Sequence, residues 1–223
     1  MHILIIGAAG MVGRKLAGAL AQAGSLGGVP VAKLTLADVM AAPIPAGFAG
    51  EVVVASGDMA QQQITRDWVA GRPDVIFHLA AIVSGEAELD FDKGYAINLD
   101  GTRHLFEAIR AEAMRAPYRP RVVFTSSIAV FGAPFPERID DEFFLTPRTS
   151  YGAQKAMGEL LLADFSRKGI FDGIGIRLPT VCVRPGAPNK AASGFFSNII
   201  REPLVGREAV LPVDDDVRHW HVS

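Results

Sequence analysis

The chain has 223 residues, 49% of them hydrophobic and 21% charged, with a formal net charge of −2. That length buries a substantial core in one domain, or one plus a fragment, and the near-neutral balance gives no reason to expect nucleic acid or an anionic membrane surface as a partner. One cysteine, Cys182, excludes an internal disulfide framework and agrees with a reducing, cytoplasmic setting, and no apolar run approaches the ~20 residues of a membrane-spanning helix.

Residues 2–6 form an apolar run with the character of a buried parallel strand. With no basic leader and no cleavage site, this start reads as a strand and not as a signal peptide. It leads into Gly7-Ala8-Ala9-Gly10-Met11-Val12-Gly13, and residues 11–23 read as a helix. A strand, a glycine turn and a helix make the setting of a phosphate-binding loop. Small residues let the backbone approach a pyrophosphate, and the helix N-terminus offers unpaired N–H groups. The spacing is Gly-x-x-Gly-x-x-Gly; the competing reading is a turn that needs glycine only for packing.

A second strand over 34–38 ends in Asp38. A carboxylate roughly 20 residues beyond such glycines can bind both ribose hydroxyls of an adenosine and repel a 2′-phosphate. Asp38 therefore favours NAD over NADP, against the alternative of a helix-capping aspartate. A third strand over 52–56 leads to Gly57-Asp58, where the carboxylate either accepts from an adenine amino group or caps the helix expected at 60–70. Further strands are expected at 75–79, 121–126 and 173–177, and helices at 92–115 and 150–167. This alternation predicts an α/β fold of the Rossmann type, a doubly wound parallel sheet with right-handed crossovers. Functional residues then belong at the carboxyl ends of strands, where the glycine loop, Asp38, Asp58, Ala80-Ala81 and Ser126-Ser127 all fall. The stretches 43–50 and 133–136 read as surface loops. Asp214-Asp215-Asp216 reads as a solvated loop, and no metal site is expected.

Tyr151 and Lys155 lie four apart, on one face of the helix expected at 150–167. A phenol with its usual pKa of about 10 is a poor base at neutral pH. A fixed ammonium stabilises the phenolate, and the phenol then exchanges a proton with a substrate hydroxyl. The pair is common by chance; its weight comes from sharing a chain with the glycine loop.

These residues resemble the extended short-chain dehydrogenase/reductase family over almost the whole chain. Gly7, Gly10 and Gly13, with Met11 and Val12 between them, match its cofactor loop. Gly57-Asp58-Met59 resembles its adenine contact, and His78-Leu79-Ala80-Ala81 its fourth-strand motif, whose backbone lies along the cofactor. Asn98-x-x-Gly101-Thr102 matches a helix motif whose asparagine supports the active site. Thr125 to Gly132 resembles the serine motif and puts the catalytic serine at Ser127. Pro179-Thr180-Val181 resembles the segment that holds the nicotinamide carboxamide. The resemblance implies NAD as cofactor and hydride transfer, with Ser127, Tyr151, Lys155 and Asn98 as the catalytic set. In that scheme Lys155 holds the ribose hydroxyls and lowers the Tyr151 pKa. It also implies a dinucleotide-binding domain over 1–177 and the start of a small, here incomplete, C-terminal substrate-binding portion over 178–223, since family members usually exceed this length. One departure is Ile6, where the family often has threonine.

Residues 83–88, 184–193 and 218–221 lie outside those general motifs and resemble the family's dehydrogenases of short sugar acids. The implied reaction is oxidation of the C2 hydroxyl of a small sugar acid. Candidate substrate residues are Ser84, Ser127, Tyr151, Asn189, Lys190 and Arg218. Lys190 and Arg218 are cations for a carboxylate, Arg218 being suited to bidentate contact; the competing reading makes both solvated surface charges. Two other functions stay open: a nucleotide-sugar epimerase with tightly held NAD, and a non-catalytic NAD-binding scaffold. Ile128-Ala129 after Ser127 speaks against a dehydratase, in which Asp-Glu usually follows. Leu99, Leu105, Phe106, Ile109, Met157, Leu160, Leu161 and Leu162 wrap further round their two helices than one core-facing stripe requires, which predicts a homodimer.

Overall fold

A computed structural model describes residues 1–186 and 191–223. In chain order the elements are β1 (His2–Ile6), α1 (Met11–Ala23), a small hairpin of β2 (Ser25–Leu26) and β3 (Val29–Pro30), β4 (Lys33–Asp38), β5 (Glu51–Ser56), α2 (Gln62–Ala70) and β6 (Val75–His78). Then come α3 (Ser84–Leu89), α4 (Phe91–Gly94), a π-helical stretch Tyr95–Asp100, α5 (Gly101–Arg115), β7 (Arg121–Ser127) and a 3₁₀ turn Ile128–Val130. The chain continues with α6 (Ser150–Arg167), β8 (Asp172–Leu178), β9 (Thr180–Val181), α7 (Phe195–Leu204) and β10 (His221–Val222).

Six strands form one parallel sheet in the order β5-β4-β1-β6-β7-β8. β1 is central and covered on both faces, which is why Ile3, Leu4, Ile5 and Ile6 form an unbroken apolar run, each no more than 1% exposed. One core lies around Phe106, Phe124 and Phe171, the other around Ile3, Ile5 and Leu34 on the opposite face. From β1 the chain winds outward through β4 and β5, then returns to β6 and winds the other way. The strand order thus reverses between β1 and β6, and a crevice opens at their carboxyl ends. After β8 the chain leaves this sheet, and β9 pairs only with β10. No helix among the described residues is long and apolar enough to cross a membrane.

Every expected strand is present. The helix expected at 92–115 is not continuous: α4 runs into the π-helical stretch before α5 begins. The wider turn carries Asn98, whose side chain is pulled inward by partners from two other segments, described below. α3 was not expected; six residues are too few to show a helical period. Leu105, Phe106, Ile109 and Leu162 are core residues, so the apolar surplus on α5 and α6 is smaller than their sequences suggest, although Leu160 stays 65% exposed.

Candidate active site

The first half of the site is the crevice beside β1. Gly7 has φ +93°, and a Cβ there would stand 2.7 Å from the backbone nitrogen of Ala80; a Cβ on Gly13 would collide with the Gly7 carbonyl oxygen. Those two glycines are required by close backbone packing. Gly10 differs: it is exposed, its φ of −70° suits any residue, and an added Cβ would touch only the Gly7 oxygen at 3.3 Å. Its missing side chain leaves the crevice open, as a ligand lying against the loop requires. Neither a side-chain cap nor an acidic residue in the first turn neutralises the positive end of α1.

Asp38 sits at the lip. Its Oδ2 accepts from the Ala9 N–H at 2.9 Å and its Oδ1 from Met40 at 3.4 Å, so the carboxylate is tied to the loop and caps no helix. Asp58 accepts from the Ala60 N–H at 2.9 Å within its own turn, while the cap position of α2 belongs to Gln61. The crevice, about 520 Å³, is lined by both aspartates, Gly7, Gly10, Met59, Ala80 and Ala81. Open glycine, uncapped helix end and lip carboxylate together fit a dinucleotide.

The second half is a cavity of about 750 Å³, and Leu79 and Ala81 line both spaces. Its floor is the end of β7, the 3₁₀ turn and the start of α6. Ser127 caps the 3₁₀ turn, its Oγ accepting from Ala129 at 3.1 Å. Thr149 caps α6, its Oγ1 accepting from Gly152 at 3.0 Å. A Cβ on Gly152 would collide with the Ala129 carbonyl oxygen, so only glycine lets α6 press this closely on the serine turn. That contact brings Tyr151 to Ser127. Burial raises the Tyr151 pKa, while a hydrogen bond with Ser127 and then the Arg184 charge act to lower it. Lys155, 2% exposed, donates to the Thr125 carbonyl at 2.9 Å and stands 5.8 Å from the Tyr151 ring centroid. Burial pushes Lys155 down to about 8.

Asn98 does not line the cavity. It is 1% exposed; its Oδ1 accepts from Ile82 N–H at 2.9 Å, and its Nδ2 donates to the Ile82 carbonyl at 3.3 Å and to Gln154 Oε1 at 2.8 Å. It therefore ties the segment after β6 to the residue preceding Lys155. His78 lies beneath the same floor, sharing a 2.8 Å hydrogen bond with Thr102 and pushed down to about 3 by burial and then by Lys155.

Val12, Ser84, Pro179, Val181 and Arg218 also line the cavity. Ser84 Oγ accepts from the Ala192 N–H at 3.1 Å, linking α3 to the segment before α7. Arg218 is exposed at the mouth, where Trp220 meets Phe135 edge to face at 5.6 Å. Asn189 and Lys190 lie outside the described residues. Sequence reading gave Arg184 no role of its own; its setting on the cavity wall and in the field of Tyr151 is a tertiary fact that no motif carries.

The profile of the NAD dependent epimerase/dehydratase family matches residues 3–221. The chain is 48% identical to D-erythronate dehydrogenase of Cupriavidus necator, covering 100% of this chain and 68% of that protein. To D-erythronate dehydrogenase of Haemophilus influenzae it is 43% identical, with coverages of 99% and 67%. A crystal structure described as the nucleoside-diphosphate-sugar epimerase from Agrobacterium tumefaciens superposes with a TM-score of 0.95 at 68% identity, covering 100% of this chain and 65% of that one. The chain thus spans about two thirds of the length of these proteins. With a match from the first strand to the last, on a fold whose strand ends carry the glycine loop and the Ser127, Tyr151 and Lys155 cluster, the chain belongs to the NAD dependent epimerase/dehydratase family.

Proposed function

We propose that the protein oxidises the C2 hydroxyl of a short sugar acid, D-erythronate, to the 2-keto acid with NAD. The observation that carries this reading is the meeting of Ser127, Tyr151 and Lys155 on the floor of a cavity that shares Leu79 and Ala81 with the crevice of the glycine loop. The names of the two curated relatives supply the substrate.

The backbone of Gly7, Gly10, Met11, Val12 and Gly13 would hold the pyrophosphate, Asp38 the adenosine ribose, and Asp58 and Met59 the adenine. Leu79, Ala80, Ala81, Pro179 and Val181 would hold the nicotinamide, and Tyr151 and Lys155 its ribose. When bound, NAD supplies the hydride acceptor. Tyr151 takes the proton of the C2 hydroxyl, and Ser127 holds that oxygen in line. Lys155 contributes positive charge beneath the phenol, and Asn98 positions the Gln154–Lys155 turn of α6. Ser84, Asn189, Lys190 and Arg218 are the sequence's candidates for the carboxylate and outer hydroxyls. Exposed Leu160 and half-buried Met157 on α6, with half-buried Leu99 in the π-helical stretch before α5, support reading this side of the molecule as a homodimer face.

A second reading, nucleotide-sugar epimerisation, has one specific point in its favour: the description of the 68% identical crystal structure. One assay separates the two. The protein is given NAD with a panel of four- to six-carbon aldonates and with nucleotide sugars, and both NADH absorbance and epimer formation are followed. NADH release with D-erythronate is expected. No NADH from any acid, with epimer formed from a nucleotide sugar, replaces this reading by the second.

A further inference from the structure

Among the described residues, three cations line the cavity: Lys155, Arg184 and Arg218. The Lys155 ammonium is committed to the Thr125 carbonyl beneath Tyr151. Arg218 is exposed at the mouth. Arg184 is different from both. Its main chain is clamped on two sides: its N–H donates to Ser197 Oγ at 3.0 Å, and its carbonyl accepts from Arg201 Nη1 at 2.7 Å. Ser197 is itself only 3% exposed, and Arg201 is fixed by Asn198 at 2.6 Å and Glu202 at 2.8 Å. α7 thus holds the backbone at position 184 in place. The guanidinium, by contrast, is half-buried and has no hydrogen-bond or ion-pair partner among the described residues. Glu137, the acidic residue on the same wall, forms no ion pair with it. A half-buried guanidinium without a counter-charge is poorly solvated, and a planar carboxylate answers its donor fork in two parallel hydrogen bonds.

Taking the protein as a sugar-acid dehydrogenase, we propose that Arg184 binds the substrate carboxylate and so selects acids whose reacting hydroxyl is on the adjacent carbon. Arg184 and Tyr151 line the same cavity, and the Arg184 charge acts on the Tyr151 phenol. On this proposal one small acid reaches from one to the other, its carboxylate on Arg184 and its reacting hydroxyl on Tyr151. A hydroxyl further along the chain would be carried away from the base, so Arg184 sets which carbon reacts as well as which class of molecule enters. Arg218, at the mouth, then meets the distal hydroxyl end or solvent.

The test is equilibrium binding to the full chain loaded with NADH, read by cofactor fluorescence, with D-erythronate and its neutral counterpart erythritol as probes. Arg184→Gln is expected to weaken D-erythronate binding about 10- to 100-fold, the worth of a charge-assisted pair in a partly dry site. Arg218→Gln, whose exposed charge is left to the distal hydroxyl end, is expected to weaken it several-fold less than Arg184→Gln does. Erythritol binding should not respond to either change. Arg184→Lys keeps the charge and loses the fork, so it should bind D-erythronate several-fold more weakly than the unmodified protein; this variant decides the matter if Arg184→Gln does not fold. Undiminished acid binding by the Arg184 variants, a larger loss on Arg218→Gln instead, or no acid binding by the unmodified protein overturns the proposal. Turnover separates it from the parent reading. Arg184-dependent acid binding with no NADH formed from any acid overturns the dehydrogenase and keeps the anchor. Normal D-erythronate oxidation by Arg184→Gln keeps the dehydrogenase and overturns the anchor.

Discussion

The crevice and the cavity share Leu79 and Ala81, yet they are built from different material. The crevice is made of strand ends, backbone groups and small residues, and its carboxylates are already hydrogen-bonded to main-chain N–H groups. Gly7 and Gly13 have no room to be anything else. The cavity has an equally firm floor in β7 and α6, which carries Lys155, but much of its wall comes from the irregular stretch 131–149 and from residues after β8, where Glu137, Arg184 and Arg218 stand. The difference separates two tasks. A dinucleotide is recognised by main-chain geometry, which tolerates little change. A substrate is recognised by side chains on loops, which change without disturbing the sheet, so one cofactor half can serve several chemistries.

The strongest challenge to that division is Tyr151→Phe. It removes one oxygen from the cavity floor and nothing from the crevice. General acid–base groups contribute about 10²–10⁴-fold, so kcat should fall by that factor, with NAD affinity nearly unchanged. Retention of more than about a tenth of the rate would mean another group accepts the proton, and a parallel loss of NAD binding would mean the two halves are not separable.

Lys155→Met probes the floor itself. Lys155 is buried with its folded-state pKa at about 8, below the ordinary 10.5. Below about pH 8 folded and unfolded chains are both charged here, and the full cost of burying the ammonium is present. Between about 8 and 10.5 the unfolded chain holds the proton and the folded one does not, so stability rises with pH across that window. Methionine keeps the length and removes the charge. The variant should be inactive, more stable than the unmodified protein at pH 7 by on the order of 1–3 kcal/mol, and without this rise. Urea unfolding at pH 7, 8 and 9.5 measures both. Equal stability and equal slopes would show that the floor solvates Lys155 well, leaving the site without a stored electrostatic cost.

The same contrast governs what the sequence discloses. Buried parallel strands are continuous apolar runs, which makes Ile3–Ile6 readable; the strand–helix alternation discloses the other five, including the partly exposed edge strands β5 and β8, and with them the crevice at their ends. Tyr151 and Lys155 are readable because helical spacing alone puts them on one face. The break in the helix expected at 92–115 is not, because Asn98 is turned inward by Ile82 and Gln154, partners distant in the chain. Leu105, Phe106 and Ile109 read as surplus for a second subunit, yet α5 packs between α2 and α6 and buries them. Arg184 is invisible for a related reason: residue type and spacing do not say that α7 fixes its main chain and leaves its guanidinium unmatched among the described residues. Asn98, Arg184 and the mouth pair Phe135–Trp220 are all defined by tertiary partners, whereas the glycine loop and the strand ends of the crevice are legible from local backbone form.

Asp38→Ala is the mildest of these changes and addresses the crevice alone. The carboxylate has two roles there. One oxygen accepts from Ala9 and holds the glycine loop against the end of β4. On the proposed reading the carboxylate also meets the adenosine ribose, and its negative charge opposes a 2′-phosphate. Alanine removes both effects. NAD affinity should fall about 10- to 100-fold, as for the loss of one or two charge-assisted hydrogen bonds, and the preference for NAD over NADP should narrow by a comparable factor. Asp38→Asn sharpens the argument: the amide oxygen still accepts from Ala9 and the charge is gone. If Asp38→Asn keeps NAD binding while admitting NADP, the charge selects the cofactor and the hydrogen bond shapes the loop. If both variants lose NAD alike and neither admits NADP, Asp38 serves the loop and discrimination lies elsewhere. Titrating each cofactor by fluorescence gives the four affinities, and kcat/KM for D-erythronate at saturating NAD shows whether the cavity notices. On the division argued above it should not, because Asp38 lines the crevice and not the cavity.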